Sequence, residues 1–504
     1  MLEHYLEKPI VDKKVLLTFF LDKRQILVSE LISETELSYN LIKQYCQELN
    51  EQFSQSLKIE VSPQIITTTY NEQLKDHYFF DLYAQSNLLQ LLRFLLLNED
   101  SQKPLTYFAE RSFISNASAY RMREAIRPYL KEIGLALHKN VIRGDEYRIR
   151  FLIALLQSKF GIIIYEFSQE DFHVIDQFIA NSASSLKFSN LLEHSFQFYN
   201  TLLALSWKRF DYRVSLPKSD IFNELKQIFI YQKISETATA TIERQLHLSF
   251  NTSDIDYLFL IYILANNSFA SQDWTVEEVD FYISIFEKNY HFQLLLNPLK
   301  KLFDIPQQKE KEFVRIVLAF AKDHIYQLEP FIPEKNYFLS NYCSENSLLK
   351  EAIFKIVKKW KKEIKQSAQV NARHLNLFCN HLELFLKSYQ PPLQLVFLST
   401  DFTSSMTLTD FIANRFSSDY VQFHSYYLLT DDIYQIADIK PHLMVTSHQL
   451  IPFIEHEIIS GIPILDFSHN NLETNTRQLQ DTIARLKAEQ FSNFLKQQIQ
   501  LTEA

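Results

Sequence analysis

The sequence predicts a mainly α, multidomain protein closed by a small α/β domain, and three observations carry that prediction. Glycine is the first: only Gly134, Gly144, Gly161 and Gly461 occur in 504 residues, beside abundant Leu, Ile, Phe, Lys, Glu and Gln. Sheet proteins need glycine at turns and bulges, and helices do not. The second is a stretch over about residues 166–390 that is apolar at helical spacing and lacks glycine. The third is Pro391–Pro392, which no helix continues through and after which strands and helices alternate. A chain of this length fits roughly three to five domains.

Residues 11–60 read as one compact unit. "VDKKVLLTFFL" is apolar at helical spacing, and "ILVSELISE" reads as a short second helix. "TELSYNLIKQYCQELNEQF" places Leu37, Ile42, Tyr45, Cys46 and Leu49 on one face of a third. "LKIEVSPQIITTTYN" then changes to alternation around a turn at Pro63. Helix, helix, turn, helix, hairpin is the order of a winged helix-turn-helix. Its reading helix offers Ser38, Asn40 and Lys43.

The plan recurs. "LLQLLRFLLLNED" is a first helix and "PLTYFAERSF" a second opened by Pro104, while Ser115 caps a third that Gly134 stops. In the third, Ala119, Met122, Ile126, Leu130 and Ile133 form the buried stripe, and Asn116, Tyr120, Arg121 and Arg123 lie off it. Pro128 predicts a kink or an early end near Arg127. "LALHKNVIRGDEYRIR" alternates around Gly144 and predicts a hairpin with a left-handed turn there. Residues 101–160 carry eleven Lys and Arg against five Asp and Glu, so a chain of net charge −9 concentrates +6 in this stretch and −15 elsewhere. A polar and basic helix followed by a basic hairpin suits a groove reader with a phosphate-contacting wing. Ser115, Asn116, Ser118, Tyr120, Arg121, Arg123 and Arg127 are the candidate contacts on the helix, and Lys139 and Arg143 those on the wing.

Between residues 166 and 390 the helices divide near "NNSFASQDWTVEE", where Thr275 stands as an N-cap ahead of Glu277 and Glu278. "FYNTLLALSWKRFDYRVSLP" and "FVRIVLAFAKDHIYQLEPFIP" read as two long helices ending in a Leu-Pro or Ile-Pro step, a weak rhyme compatible with a duplicated helical domain. After Pro392, "LQLVFLS", "VQFHSYYLL", "PHLMVTS" and "IPILDFS" read as strands. "TLTDFIANRF", "LIPFIEHEI" and "NTRQLQDTIARLKAEQF" read as helices between and after them, which gives a small parallel sheet.

Several chemistries are excluded. No P-loop or GxGxxG can be written with four scattered glycines, which removes most nucleotide-dependent enzymes. Cys46, Cys343 and Cys379 form no zinc spacing and read as buried reduced thiols. No catalytic constellation, metal site or cofactor is expected. The N-terminus lacks a signal-peptide pattern and no apolar run spans a bilayer, so a cytoplasmic protein without membrane contact is expected.

The order of these parts resembles the Mga/RofA-like virulence regulators of streptococci and related Gram-positive bacteria. "FISNASAYRMREAIRPYLKEIGLAL" with "EYRIRFLIALLQSKFGI" carries the likeness most sharply. The resemblance implies a winged helix-turn-helix in 1–70, a second DNA-binding domain in 71–165, PTS-regulation domains in 166–272 and 273–390, and an enzyme-IIB-like domain in 391–504. It also implies a transcription regulator tuned by histidine phosphorylation. "NLLEHSFQFYNTLLAL" places His194 at the family's first phosphoacceptor, whereas "DYLFLIYILANN" has Tyr262 where a histidine is usual. His247, His324, His374 and His381 are further candidates. Ser399 and Thr400 stand where the enzyme-IIB cysteine would follow the first strand, which implies a domain that no longer transfers phosphate.

The expected partners are double-stranded promoter DNA, a second copy of the chain, and the phosphocarrier protein of the sugar phosphotransferase system. The alternatives are a phosphotransferase component, which needs a reactive Cys or His in the last domain, and an RNA-binding antiterminator, which needs aromatic stacking surfaces near the N-terminus.

Overall fold

The computed structural model describes residues 2–182, 197–265, 274–333, 347–366, 370–454, 461–467 and 471–503. The chain packs as two compact units: Met1–Gln293 with Leu318–Lys335 and Lys365–Asn371, and Leu294–Val317 with Asn336–Ile364 and Ala372–Ala504. His194 and Cys343 lie outside the described residues.

The first unit opens with α1 (Lys8–Asp22), β1 (Gln25–Leu27), α2 (Val28–Thr35), α3 (Tyr39–Gln52), β2 (Leu57–Val61) and β3 (Ile65–Tyr70). The strands form an antiparallel sheet in the order β1-β3-β2, a winged helix-turn-helix. The helix expected over "ILVSELISE" starts late, because Gln25–Leu27 pairs with Ile65–Thr67 and buries Ile26 beside Ile66. Ile42, Tyr45, Cys46 and Leu49 are buried on the predicted face of α3, while Leu37, also buried, precedes the helix and its cap. Asn50 locks that helix to the wing: its side chain accepts from the Ile59 N–H and donates to the Ile59 carbonyl, both at 2.7 Å.

The second helix-turn-helix motif follows as α4 (Lys75–Ala84), α5 (Asn87–Ser101), α6 (Leu105–Arg111), α7 (Asn116–Glu132), β4 (Leu135–His138), β5 (Val141–Gly144) and α8 (Glu146–Phe160). Here α7 runs through Pro128 to Glu132 and does not end at Arg127. Pro128 is exposed, while Ile126, Tyr129 and Leu130 are buried on either side of it and hold the helix in register. Tyr129 joins the core, and Met122 is only half-buried. The hairpin turn also differs from expectation. It lies at Lys139–Asn140, with Lys139 at φ 56°, whereas Gly144 ends β5 because a Cβ there would sit 2.5 Å from Leu135 Cδ2.

Thirteen of the fifteen residues of α8 are buried, so this helix is the axis about which the first unit packs. It ends at Gly161, whose φ is +65° and where a Cβ would stand 2.6 Å from Phe80 Cβ. Gly161→Ala should therefore cost about 2–4 kcal/mol, from left-handed backbone strain plus overpacking. Gly461→Ala has a similar φ of +79° and open space, and should cost only the backbone share. Urea midpoints of the two variants check the difference.

Around α8 the unit is helical: α9 (Gln169–Ser182), then helices Gln197–Lys208, Phe229–Ala238, Thr252–Ala265 and Val276–Lys288. Thr275 caps the last in a capping box with Glu278. The long helix expected through "FVRIVLAFAKDHIYQ" stops at Ala321, where 3-10 turns begin and Tyr326 takes φ 52°. Lys322 accounts for the break, since its buried ammonium donates to the carbonyls of Ile263 and Leu264 at 2.9 and 3.1 Å.

In the second unit β6 (Leu393–Ser399), β7 (Val421–Tyr427), β8 (Leu443–Thr446) and β9 (Ile464–Asp466) form a parallel sheet in the order β7-β6-β8-β9. Leu395, Phe397, Ile412 and Val445 pack with Leu479 and Ile483 of the closing helix Leu472–Glu503. Within "LIPFIEHEI" the described part is a single 3-10 turn, Ile451–Phe453, and residues 455–460 lie outside the described residues.

Candidate nucleic-acid interface

The two helix-turn-helix motifs share one local design. Glu36 and Phe113 each adopt a left-handed conformation, at φ 57° and 54°, and two residues later Ser38 and Ser115 cap α3 and α7. Ser38 Oγ accepts from the Leu41 N–H at 3.4 Å, and Ser115 Oγ accepts from the Ser118 N–H at 3.1 Å. In each case a serine satisfies a helix-terminal N–H and aims the first turns outward.

On α7 the outward face is a line of polar groups. Ser115 Oγ donates to Ser118 Oγ at 2.9 Å, and Arg121 donates to the same oxygen at 3.2 Å. Asn116, Tyr120 and Arg121 are exposed, and Arg121 pairs with no carboxylate among the described residues. Arg123 and Arg127 are engaged: both bind Glu124, at 2.8 and 2.6 Å, and Arg123 lies 4.9 Å from the Tyr120 ring centroid. These two arginines, Arg123 first, pull the Glu124 carboxyl below its usual range.

The wing is fastened to this helix. Arg123 donates to Asn140 Oδ1 at 3.3 Å and Arg127 to the Leu137 carbonyl at 3.4 Å. Asn98 holds the other side through the carbonyls of Lys103 and Asn140. Lys139 is thereby left exposed at the turn. Arg143 is also exposed, but it is ion-paired with Glu99.

On α3, Ser38, Asn40 and Lys43 are exposed, and Lys43 has no ion-pair partner among the described residues. Glu48, one turn along, is bound by Lys13 at 2.6 Å, and that hydrogen bond holds its carboxyl below the usual range.

Sequence reasoning missed a third group. Lys103 sits 4.4 Å from the Tyr107 ring centroid, and Arg111 donates to the Tyr107 hydroxyl at 3.1 Å. The two cations, Arg111 first, lower the Tyr107 pKa. Their placement four residues before and four residues after Tyr107 was the available signal. Phe113, almost fully exposed at 96%, stands in the turn between α6 and α7; nothing in the local sequence pattern marks it.

The described histidine candidates are dispersed. His247 is exposed at φ 52°. His324 is buried, with Nδ1 2.9 Å from Gln366 Oε1. His374 is buried and His381 half-buried, and desolvation lowers the His381 pKa. Tyr262 lies among buried phenols, with Tyr199 and Tyr282 both raised, first by burial and then by its charge. Burial pushes the Cys46 and Cys379 thiols up to about 12, which leaves neither reactive. Among the described residues no His, Cys, Asp and Glu side chains cluster as a metal site, and no helix is long and apolar enough to cross a membrane.

Comparison with known proteins agrees with this organisation. Residues 7–65 match the M protein trans-acting positive regulator (MGA) HTH domain, 64–157 the Mga helix-turn-helix domain, and 172–390 the MGA PRD domain. The capsule synthesis positive regulator AcpB of Bacillus anthracis is 24% identical over 309 residues. That match takes in 58% of this chain and 62% of AcpB. Two helix-turn-helix matches followed by a PRD match, on a fold that builds two such motifs ahead of a helical region, show that the chain belongs to the Mga family.

Proposed function

We propose that the protein is a DNA-binding transcription regulator in which α7 and its wing are the main reader and α3 the lesser one. The observation that carries this reading is Arg121, an exposed guanidinium without a carboxylate partner among the described residues, two turns into a serine-capped helix. Arginine in that setting serves base edges or phosphates through its planar fork. The targets are genes for surface or virulence products, in keeping with the capsule role in AcpB's name. The PRD region receives a phosphoryl group from the phosphocarrier protein on a histidine, with His194 and the exposed His247 the favoured acceptors. The C-terminal sheet is an enzyme-IIB-like domain without phosphotransfer, since Ser399 Oγ is turned to its own loop, accepting from the Asp401 N–H at 3.0 Å. It serves assembly of a homodimer or higher oligomer.

The test is a salt titration of binding to mixed-sequence genomic duplex, with the intact chain against Arg121→Ala/Arg123→Ala. The intact chain should show a steep log–log salt slope, and the variant a slope shallower by about one to two. Equal slopes would remove α7 from the interface.

A further inference from the structure

A chain of charges runs from the wing into the PRD region. Arg143 on β5 is ion-paired with Glu99 at the end of α5, whose other carboxylate oxygen lies 3.5 Å from Arg209 Nη2. Arg209 follows the helix Gln197–Lys208, inside the segment that matches the PRD domain. It holds Glu146 in two-point fashion, at 2.7 Å from Nε and 2.8 Å from Nη2. Glu146 also accepts from Arg150 at 2.9 Å, and Arg150 donates onward to the carbonyls of Arg209 and Tyr212. Exposure falls steeply along this path: the side chain of Arg143 is 51% exposed, Glu99 15% and Arg209 3%.

The geometry points to Glu99 and Arg209 as positioning residues that set whether Arg143 is offered to a DNA phosphate, an inference that rests on the DNA-binding reading above. Glu99 is shared between two guanidiniums, one exposed and one buried. When a phosphate draws Arg143 away, Glu99 is left beside Arg209, which already lies within 3.5 Å and can close on it. Without Arg209, releasing Arg143 would strand a largely buried carboxylate, so Arg143 stays clamped. Arg209 chooses between Glu146 and Glu99, and it sits in the turn directly after a PRD-region helix, its N–H bonded to the Leu205 carbonyl. A shift of that helix therefore reaches the wing as a change in available charge, with no movement of α7 required.

The test extends the same salt titration of the full-length chain on mixed-sequence duplex. Glu99→Gln keeps the shape, removes the clamp and should steepen the slope by about half, since Arg143 is shared between clamp and phosphate in the unaltered chain and one full phosphate contact is worth about one. Adding Arg143→Ala to Glu99→Gln should abolish that gain. Arg209→Gln should make the slope shallower by about the remaining half of that one contact, and Glu99→Gln should restore it in the double variant, a rescue that general loss of structure would not give. A Glu99→Gln slope equal to that of the unaltered chain, or a gain that persists without Arg143, would overturn the inference. Should the unaltered chain lose slope on Arg121→Ala/Arg123→Ala while Glu99→Gln is silent, only this inference falls. Absence of salt-dependent binding by the unaltered chain removes the DNA reading and this inference with it.

Discussion

Glu146→Gln should lower the stability of the first unit by about 3–5 kcal/mol, the usual cost of removing one partner from a buried ion pair. The carboxylate serves two guanidiniums whose side chains are 1% and 3% exposed, those of Arg150 and Arg209. Burial alone would lower the Arg209 pKa, but the hydrogen bond and charge of Glu146 outweigh it and raise that pKa, so the arginine stays charged. Glutamine fills the same space and removes the charge, leaving two buried cations with carbonyls, the Tyr165 hydroxyl and the more distant Glu99. The measurement is the urea midpoint followed by tryptophan fluorescence, which Trp207 at the end of the neighbouring helix reports. Combining Glu146→Gln with Arg150→Met and Arg209→Met should recover most of the loss, because the penalty lies in uncompensated charge and not in lost volume. Lys58→Ala, at the exposed pair with Glu60, should leave the midpoint where it is. A Glu146→Gln midpoint equal to that of Lys58→Ala would show that the network carries no folding energy.

The contrast between α7 and the charge network shows what a sequence can and cannot disclose. Ser115 and Gly134 were legible as the ends of α7 because caps satisfy backbone groups within a few residues of themselves. The face of α3 was legible for the same local reason, a repeat of apolar residues at helical spacing. The wing turn was misplaced because glycine is the ordinary bearer of positive φ, and here Lys139 takes it while Gly144 yields space to Leu135. β1 was misread as helix because its partner, β3, lies some forty positions further along, and three residues carry no period of their own. The path from Arg143 through Glu99 to Arg209 joins residues up to 110 positions apart, so no pattern in the chain announces it. The sequence offered Arg123 and Arg127 as contacts beside Arg121; only the fold shows that Glu124 engages the first two.

That difference decides the second large effect. Arg121→Ala should weaken duplex binding by about 1–3 kcal/mol, roughly five- to 150-fold, whereas Lys43→Ala should cost less than half as much free energy. On α7 the one nearby carboxylate, Glu124, is already taken by Arg123 and Arg127, so nothing competes for Arg121 when a duplex approaches. Its guanidinium is held near the helix start by the Ser118 hydroxyl, so little freedom is lost on docking. Lys43 is a flexible ammonium on a helix that also exposes Glu51, and an ammonium meets phosphate as a point charge without reading a base. The two substitutions should differ in kind as well as in size. Arg121→Ala should flatten the preference between a selected site and random duplex if the arginine reads a base, and Lys43→Ala should weaken both alike. Competition titrations at fixed salt measure this directly. A larger loss from Lys43→Ala would make α3 the main reader and leave the serine-capped, arginine-bearing face of α7 as its support.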